Sequence, residues 1–363
     1  MKKTLIIAIV AVMALTSVLL VACNENADSY DYTKAVRIDA EGNQSAEGTY
    51  MLFGSYPQSR VTDGSLSSSL TSSAGDLPTA EDAKGWTSYG YYAEGALSEY
   101  MWYIDVTHGG ERYRGVYFTS YRPAHATDIG SVTTSYQDDY GYRISDADHA
   151  NVYWFKFESL KWRILSEGNG QALLLCESVI DSQNYFISAA TEARVIDEQP
   201  ISDNNYKYST IRAWLNDAFY NTAFGDAQKE MIVETTVDNG ALSTNSAAAP
   251  WNEGANVYAS QNTQDKIFLL SEREVTNADY GFQADRDAQD GARTKKTTDY
   301  AKAQGVWASK TAGRIGAANW LLRSPHCETG DSVRFVSITG IAGGNASARS
   351  AEFGIVPAVK ISL

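Results

Sequence analysis

The chain has few prolines, no excess of basic residues and no second long apolar run, and each shortage excludes a class of protein. Its 363 residues include 7 Pro but 23 Tyr and 8 Trp, a composition that argues against disorder. Its 30 Lys and Arg stand against 44 Asp and Glu, so the formal net charge is −14. Because an acidic surface repels phosphate groups, we predict that the chain does not bind nucleic acid.

Signatures of catalysis and of metal binding are also missing from the sequence. The four histidines lack a His-Glu-x-x-His spacing, and there is no Gly-x-Ser-x-Gly elbow or phosphate-binding glycine loop. Two carboxylates could still form a glycosidase pair, but only if they lay roughly 5 to 10 Å apart in the fold. From motifs alone we predict no catalytic residue, no metal site and no cofactor.

Three segments carry the residue types of calcium ligands without the matching pattern. The acidic loop 285–291 has a glutamine at one alternating position and no closing glutamate, which favours a solvated loop. The segment 214–217, Trp-Leu-Asn-Asp, is interrupted by its leucine relative to a lectin calcium motif, which favours helix core. The third segment, for which surface charge is favoured, comprises Asp138, Asp139, Asp146, Asp148 and His149.

One long apolar run is present, over residues 5–21, and two lysines precede it. Its end, Leu20-Val21-Ala22-Cys23, resembles a bacterial lipoprotein signal, in which the cysteine thiol is lipidated and the preceding peptide is removed. The resemblance implies an extracytoplasmic protein anchored to a bacterial cell membrane through lipid on Cys23. Removal of residues 1–22 would lower the formal charge from −14 to −16. An uncleaved transmembrane anchor and a secretory signal cut elsewhere are the alternatives.

Cys176 and Cys327 are the two cysteines left once Cys23 is assigned to lipid. They lie 151 positions apart in a compartment that permits disulfides, so a bridge between them stays open. Cys176 ends an apolar run and has the pattern of a buried strand residue, whereas Cys327 follows His326 in a polar segment. A metal site at 326–328 is disfavoured, because adjacent side chains rarely converge on one ion.

The mature chain is predicted to be one domain behind a spacer. Residues 23–47, which begin with the lipidated cysteine, are polar and are interpreted as that spacer. Residues 48–363 are predicted to form a single large α+β domain, with an aromatic-rich part at about 48–150 and a core at about 151–363. Within it, the low-complexity segment 65–75 is predicted to be a surface loop.

Strand patterns recur along this domain. The β-prone runs 101–104 and 113–118 flank a glycine-containing turn and are predicted to pair as a hairpin. Residues 153–165 and 172–176 flank Gly-Asn-Gly and are predicted to form a second hairpin. Residues 50–54 are a predicted strand that ends in a turn at 55–58. Further strands are predicted at 265–270, 319–323, 333–338 and 354–361, with Pro357 at an edge or bulge.

Helix patterns are fewer. Ile211, Trp214, Leu215, Ala218 and Phe219 form one apolar stripe, and the preceding Ser209 is a suitable N-cap. Two shorter helices are predicted, one capped by Asp226 and one within 298–303.

The order of these segments resembles a large uncharacterised bacterial family of secreted and surface domains, known only as a domain of unknown function. The segments that carry the resemblance lie at 53–58, 161–165, 209–216, 265–271, 320–325 (Trp-Leu-Leu-Arg-Ser-Pro) and 356–359 (Val-Pro-Ala-Val).

The closing arrangement, a Trp-x-x-Arg-Ser segment followed by strands and a glycine turn, also resembles the C-type-lectin-like fold of formylglycine-generating enzymes and sulfatase-modifying factors. The resemblance implies small twisted antiparallel sheets, a few short helices and long irregular loops, with the first and last strands close together. The formylglycine-generating enzymes use a close cysteine pair near the end of the domain. Here only Cys327 lies in that region, which argues against the oxidase activity.

Location and fold resemblance together lead us to expect a lipid-anchored binding or adhesion module that recognises a glycan, a peptide or a surface protein. The alternatives are an envelope enzyme, sulfatase-modifying-like or a carboxylate-based hydrolase, and an inert envelope scaffold. A deep pocket with converging acids or a thiol would favour the enzyme. A shallow aromatic-lined face would favour binding.

Overall fold

The computed structural model describes residues 33–79, 82–88, 101–118, 121–122, 142–143, 151–187, 194–246, 254–350 and 352–363. The chain divides into two units, Met1–Asp31 and Tyr32–Leu363, and only the second contains described residues. Cys23, the predicted signal and the acidic cluster from Asp138 to His149 lie outside them. Within the described ranges, no helix is long and apolar enough to cross a membrane.

The fold is α+β, as predicted, with mostly small sheets and short helices. The strands are β1 (Val36–Ile38), β2 (Tyr50–Arg60), β3 (Thr87–Ser88), β4 (Met101–His108), β5 (Glu111–Phe118), β6 (Tyr121–Arg122), β7 (Tyr142–Arg143), β8 (Val152–Gly168), β9 (Gln171–Cys176), β10 (Ser178–Val179), β11 (Asp181–Ser182), β12 (Arg194–Ile196), β13 (Gln199–Ile201), β14 (Thr235–Val237), β15 (Thr263–Asp265), β16 (Ile267–Phe268), β17 (Lys295–Thr297), β18 (Ala317–Ala318), β19 (Trp320–Pro325), β20 (Ser332–Val336), β21 (Gly344–Ser347), β22 (Gly354–Ile355) and β23 (Ala358–Ser362). The α-helices are α1 (Gly64–Ala74), α2 (Thr210–Trp214), α3 (Tyr220–Ala223), α4 (Asp226–Met231), α5 (Glu272–Val275) and α6 (Asp299–Ala303).

The main sheet has nine strands. Seven follow the order β16-β23-β9-β8-β5-β4-β3, while β2 pairs with β8 and carries β1. Because β23 pairs with β9 and β2 with β8, the early strand β2 and the last strand share one sheet with β8 and β9 between them. A five-stranded sheet, β11-β22-β19-β20-β21, contains the Trp320–Pro325 strand.

Both predicted hairpins are confirmed, because each turn has the residues that its backbone needs. β4 pairs with β5 through Gly109 and Gly110, whose φ angles are 61° and 85°. β8 pairs with β9 through Asn169 and Gly170, at 54° and 70°. Glycine and asparagine tolerate positive φ better than other residues, so local sequence specifies these turns.

The turn predicted at 55–58 is wrong, because β2 continues to Arg60. Its pairing with β8 is irregular, because the register shifts between Leu52 and Ser55 and again between Pro57 and Arg60. Gly54 makes the first shift possible, since its φ is 74° and a Cβ there would lie 2.6 Å from the Phe224 ring. The bulges keep Tyr56 facing the core, where it is 2% exposed.

The surface loop predicted at 65–75 is also wrong, because this segment is helix α1. Asp63 caps it by accepting hydrogen bonds from the N–H groups of Ser65 and Leu66 at 2.8 and 3.0 Å. Leu70 and Ala74 are buried on one face against β4, β5 and β8. The low-complexity segment nevertheless contains two helix signals, the N-cap Asp63 and the helical spacing of Leu70 and Ala74.

The helix predicted after Ser209 is confirmed. The Ser209 hydroxyl accepts from the Arg212 N–H at 3.2 Å, and a π-helical turn, Leu215–Phe219, joins α2 to α3. The segment 214–217 belongs to this helix, with Trp214 buried in the core. The cap predicted for α4 is wrong by one residue, because Gly225 rather than Asp226 holds that position.

The ends of the unit differ slightly from their predictions. The predicted spacer, residues 23–47, includes strand β1, in which Val36 and Ile38 are buried against β2. At the other end, Pro357 separates β22 from β23, since it has no N–H to donate to a strand ladder.

Two hydrophobic clusters stabilise the unit. The main core lies between the large sheet and the elements after residue 176, and contains Trp162, Trp214 and Trp320. A second, smaller cluster lies beneath α1 and comprises Leu70, Ala74, Trp86, Tyr113, Tyr117 and Trp154. The described aromatic residues of the aromatic-rich region therefore serve largely as packing.

Candidate functional site

The segment Trp320–Pro325 is the fully buried strand β19. Its first three residues fill the main core, and the Trp320 indole N–H donates to the Arg293 carbonyl at 3.0 Å. Arg323 follows on the same strand and is only 2% exposed. A guanidinium buried this deeply needs partners for its charge and for its N–H groups.

Arg323 finds its partners in two neighbouring segments. Its Nη1 donates to the Leu269 carbonyl at 2.8 Å and to the Glu274 carboxylate, and its Nη2 donates to the Asp238 carbonyl at 3.2 Å. Burial lowers the pKa of Arg323, but the charge of Glu274 and the neighbouring tyrosines outweigh it, so the pKa is raised. Arg323 therefore stays charged and ties β19 to α5 and to the residues after β14.

The next residue, Ser324, holds the same two segments. Its hydroxyl donates to the Thr244 carbonyl at 2.6 Å and accepts from the Glu272 N–H at 2.8 Å. The Pro325 carbonyl accepts from the Asn256 side chain at 2.8 Å. The Arg-Ser-Pro sequence thus anchors α5 and two loops through side-chain and main-chain hydrogen bonds.

Helix α5 is fixed by a capping box. The Ser271 hydroxyl accepts from the Glu274 N–H at 3.2 Å, and the Glu274 carboxylate accepts from the Ser271 N–H at 2.7 Å. Ser-Glu-Arg-Glu at 271–274 has the spacing of such a box. The sequence therefore contains a signal for α5, although the apolar patterns predict no helix there.

A cavity of about 280 Å³ opens beside Arg323 and α5. This volume lies near the lower limit of roughly 300 Å³ for small-molecule sites. The lining combines three cations, two carboxylates, four hydroxyl-bearing side chains and three apolar residues. The lining residues are Leu173, Thr235, Thr236, Val237, Asp238, Ser243, Phe268, Arg273, Glu274, Tyr280, Arg323 and Lys360.

Most charged side chains of this cavity interact with other groups of the chain, but two keep charged nitrogens without such a partner among the described residues. Glu274 pairs with Arg323, and Asp238 accepts from the Gly240 N–H at 2.9 Å. Arg273 uses only its Nε, which donates to the Leu242 carbonyl at 2.7 Å. Among the described residues, the terminal nitrogens of Arg273 and the ammonium of Lys360 have no hydrogen-bond or ion-pair partner.

The electrostatic environment favours the ionised form of Asp238 and the neutral form of Tyr280. The Gly240 N–H, the Ser243 hydroxyl and the charge of Arg323 lower the pKa of Asp238. Burial and the neighbouring charge of Glu274 raise the pKa of Tyr280, so its phenol stays neutral. Counted by formal charge, the lining has three basic residues, Arg273, Arg323 and Lys360, and two acidic residues, Asp238 and Glu274, which gives a net charge of +1.

Cys176 and Cys327 occupy different environments. Cys176 is buried on β9, where desolvation raises its pKa to about 12, and Cys327 is partly exposed. The Cys327 sulfur lies 3.9 Å from Nη2 of Arg334, whose Nε lies 3.3 Å from the buried carboxylate of Glu272. Neither cysteine lines the cavity beside Arg323.

The acidic loop 285–291 is organised by Arg293, which is fully buried. Its Nη2 donates to the Asp285 and Ala288 carbonyls at 3.0 and 2.8 Å, and its Nη1 donates to the Gln283 carbonyl at 3.3 Å. The Asp290 carboxylate lies 3.3 Å from the Arg293 Nε. No group of three or more His, Cys, Asp and Glu side chains in the described ranges is arranged to hold a metal ion.

Another buried arginine, Arg114, lies in the aromatic-rich region. Its Nε and Nη2 donate to the Asp105 carboxylate at 2.7 and 2.9 Å, and its Nη1 donates to the Tyr300 hydroxyl at 3.3 Å. The guanidinium also lies 4.2 Å from the centre of the Tyr103 ring. Rings surround it on several sides, since Tyr56 and Phe157 lie within 6 Å as well.

The chain was compared with protein-family models, curated proteins and solved structures, and only a family model matches it. No curated protein and no solved structure matches the chain. A family model described as "Domain of unknown function (DUF6273)" matches residues 169–363, a range that includes every residue lining the cavity beside Arg323. The segments at 53–58 and 161–165 lie outside the match. The chain therefore belongs to this family of unknown function, DUF6273.

Proposed function

We propose that the chain is a binding module and that its ligand site is the cavity beside Arg323. The observation that carries the proposal is the pair of cations, Arg273 and Lys360, that line this cavity without an ion-pair partner among the described residues. An unpaired guanidinium and ammonium in a recessed cavity are suited to recognising a ligand and contribute little to the fold.

Catalysis by the same cavity has less support. A hydrolase of the carboxylate type needs one carboxylic acid that protonates the leaving group and a second carboxylate that acts as nucleophile or as base toward water. Here Glu274 is held by Arg323 and Ser271, and Asp238 by Gly240 and Ser243. Neither of the described cysteines, Cys176 and Cys327, lines the cavity, so the sulfatase-modifying alternative has no support from the described lining.

The setting of the module is part of the proposal. Lipidation of Cys23 would hold the unit at the extracytoplasmic face of a bacterial membrane, as the signal at residues 20–23 implies. The α+β class, the short helices and a main sheet that contains both early and late strands support a C-type-lectin-like fold. On this view the ligand is a glycan, a peptide or a surface protein.

The test is a glycan and peptide array probed with the full chain in detergent. We expect wild type to bind, and the double variant Arg273→Gln/Lys360→Gln to lose most of the signal. The matched control, Lys34→Gln/Lys296→Gln, removes the same charge from exposed positions outside the cavity and should bind normally. Turnover of an envelope polymer without binding would favour the enzyme, and neither activity would favour a scaffold.

The anchor has its own test. Wild type should be labelled by a fatty-acid probe in a bacterial host, whereas Cys23→Ser should not, because lipid attaches to that thiol. Equal labelling of the two proteins would refute the proposed anchor.

A further inference from the structure

We infer that the cavity beside Arg323 recognises a sugar acid, with a hexuronate carboxylate held by Arg273 and Lys360; the inference rests on the proposed binding function. Its first support is the arrangement of charge. The whole chain carries a formal charge of −14, yet the lining residues give a formal net charge of +1. The sign of the lining charge is therefore opposite to that of the whole chain, which favours an anionic ligand at this cavity.

Arg273 has the geometry that a carboxylate requires. Its Nε is fixed by the Leu242 carbonyl at 2.7 Å, which leaves the two terminal nitrogens available to a ligand. A guanidinium presents parallel N–H groups that match the two oxygens of a carboxylate, whereas the ammonium of Lys360 adds an undirected charge. Together they provide both orientation and attraction.

The acids in the same cavity favour a ligand with one negative charge. Asp238 and Glu274 both line it, and the pKa of Asp238 is lowered, so a phosphate monoester with nearly two charges would meet repulsion. A carboxylate carries one charge and matches the net +1 of the lining.

The rest of the lining suits a hydroxylated ring. Thr235, Thr236 and Ser243 line the cavity, and their hydroxyls donate within the chain to the Val233 carbonyl, the Gln264 side-chain oxygen and the Gly240 carbonyl. Each hydroxyl oxygen can also accept a hydrogen bond, which a sugar hydroxyl can donate. Phe268 and the half-buried Tyr280 supply apolar surface for the face of a ring. A cavity of about 280 Å³ accommodates one compact ring more readily than an extended peptide.

The closing experiment is titration calorimetry of the full chain in detergent with methyl glucuronoside and methyl galacturonoside. We expect at least one of them to bind, and methyl glucoside and the methyl ester of the uronoside to bind about 10- to 100-fold more weakly, because each lacks the charge. Arg273→Gln should cost a similar factor. Arg273→Lys should recover only part of it, since lysine restores the charge without the paired N–H groups.

Three controls separate the outcomes. Circular dichroism and the Tm of each variant verify folding, and Lys34→Gln/Lys296→Gln should bind like wild type. A chain that binds an array glycan or peptide in an Arg273-dependent way but no uronoside would overturn this inference and leave the proposed function intact. Tighter binding of glucose 6-phosphate than of either uronoside would also overturn it. A chain that binds no ligand at all would refute both.

Discussion

Two of the buried arginines of this fold, Arg114 and Arg323, have similar carboxylate partners and different surroundings. Their side chains are 4% and 2% exposed, and the partner acids Asp105 and Glu274 are each 26% exposed. Aromatic rings fill the space around Arg114, whereas main-chain carbonyls and a cavity surround Arg323. The comparison shows that a buried cation can be enclosed by ring packing or left beside an opening, and here only the second arrangement leaves room for a ligand.

The largest expected effect comes from removing each guanidinium in turn. Arg323→Met leaves Glu274 unpaired and the Leu269 and Asp238 carbonyls without a donor, so we expect a loss of about 3–5 kcal/mol in unfolding free energy. Arg114→Met should cost only about 1–2 kcal/mol, because Asp105 keeps Arg112 at 3.1 Å. Urea unfolding measures both. Equal losses of unfolding free energy in the two variants would show that the different surroundings of Arg114 and Arg323 do not matter for stability.

Alkaline pH should act on both networks at once. Burial raises the pKa of Tyr56, near Arg114, and of Tyr185, whose hydroxyl donates to the Arg323 carbonyl at 3.1 Å. A pKa raised in the folded state gives stability below the unfolded value near ~10 that is lost above it. We expect a loss of about 1.4 kcal/mol per pH unit for each such tyrosine. In an alkaline titration, ionisation of these tyrosines, measured by tyrosinate absorbance, should therefore coincide with unfolding, measured by circular dichroism. Ionisation of these phenols while the chain is still folded would contradict the prediction.

Removing the N-cap of α1 should lower the unfolding free energy by less, and the change lies in the aromatic-rich part of the domain. Asp63→Ala should cost about 1 kcal/mol, because the N–H groups of Ser65 and Leu66 lose their acceptor. Asp63→Asn keeps an acceptor and is the matched control. Ligand binding beside Arg323 should not change in either variant. A change in binding would show that the two regions are coupled.

The smallest expected effect on stability is at the cavity itself. Arg273→Gln and Lys360→Gln should each change the unfolding free energy by less than about 0.5 kcal/mol, because no charged partner in the described residues depends on them. A loss above about 1 kcal/mol would mean that the two side chains support the fold, and it would weaken their assignment to a ligand.

Local chemistry made part of the fold predictable. Gly109-Gly110 and Asn169-Gly170 supply the positive φ angles that the two hairpin turns need between β-prone runs. Ser209 caps a helix that an apolar stripe also predicts. The course of β2 was not predictable in this way, because its bulge at Gly54 depends on the approach of Phe224 from a distant helix–loop junction.

The residues of the candidate site were harder to predict from the sequence than the strands and helices were. Arg273, Arg323 and Lys360 come from α5, β19 and β23, which only the tertiary structure brings together. Each is an isolated basic residue with no local pattern. The segment 320–325 is characteristic as a sequence, but the contacts of Arg323 depend on the positions of Leu269 and Asp238 in space.

Arg293 gives the acidic loop a property that a bound ion would not. Its guanidinium donates to carbonyls at 283, 285 and 288 and lies beside Asp290, so the positive charge at the centre of the loop is covalently part of the chain. Such a charge does not dissociate on dilution, and chelators do not remove it. The contacts that Arg293 makes in this loop therefore need no dissociable cation from the medium.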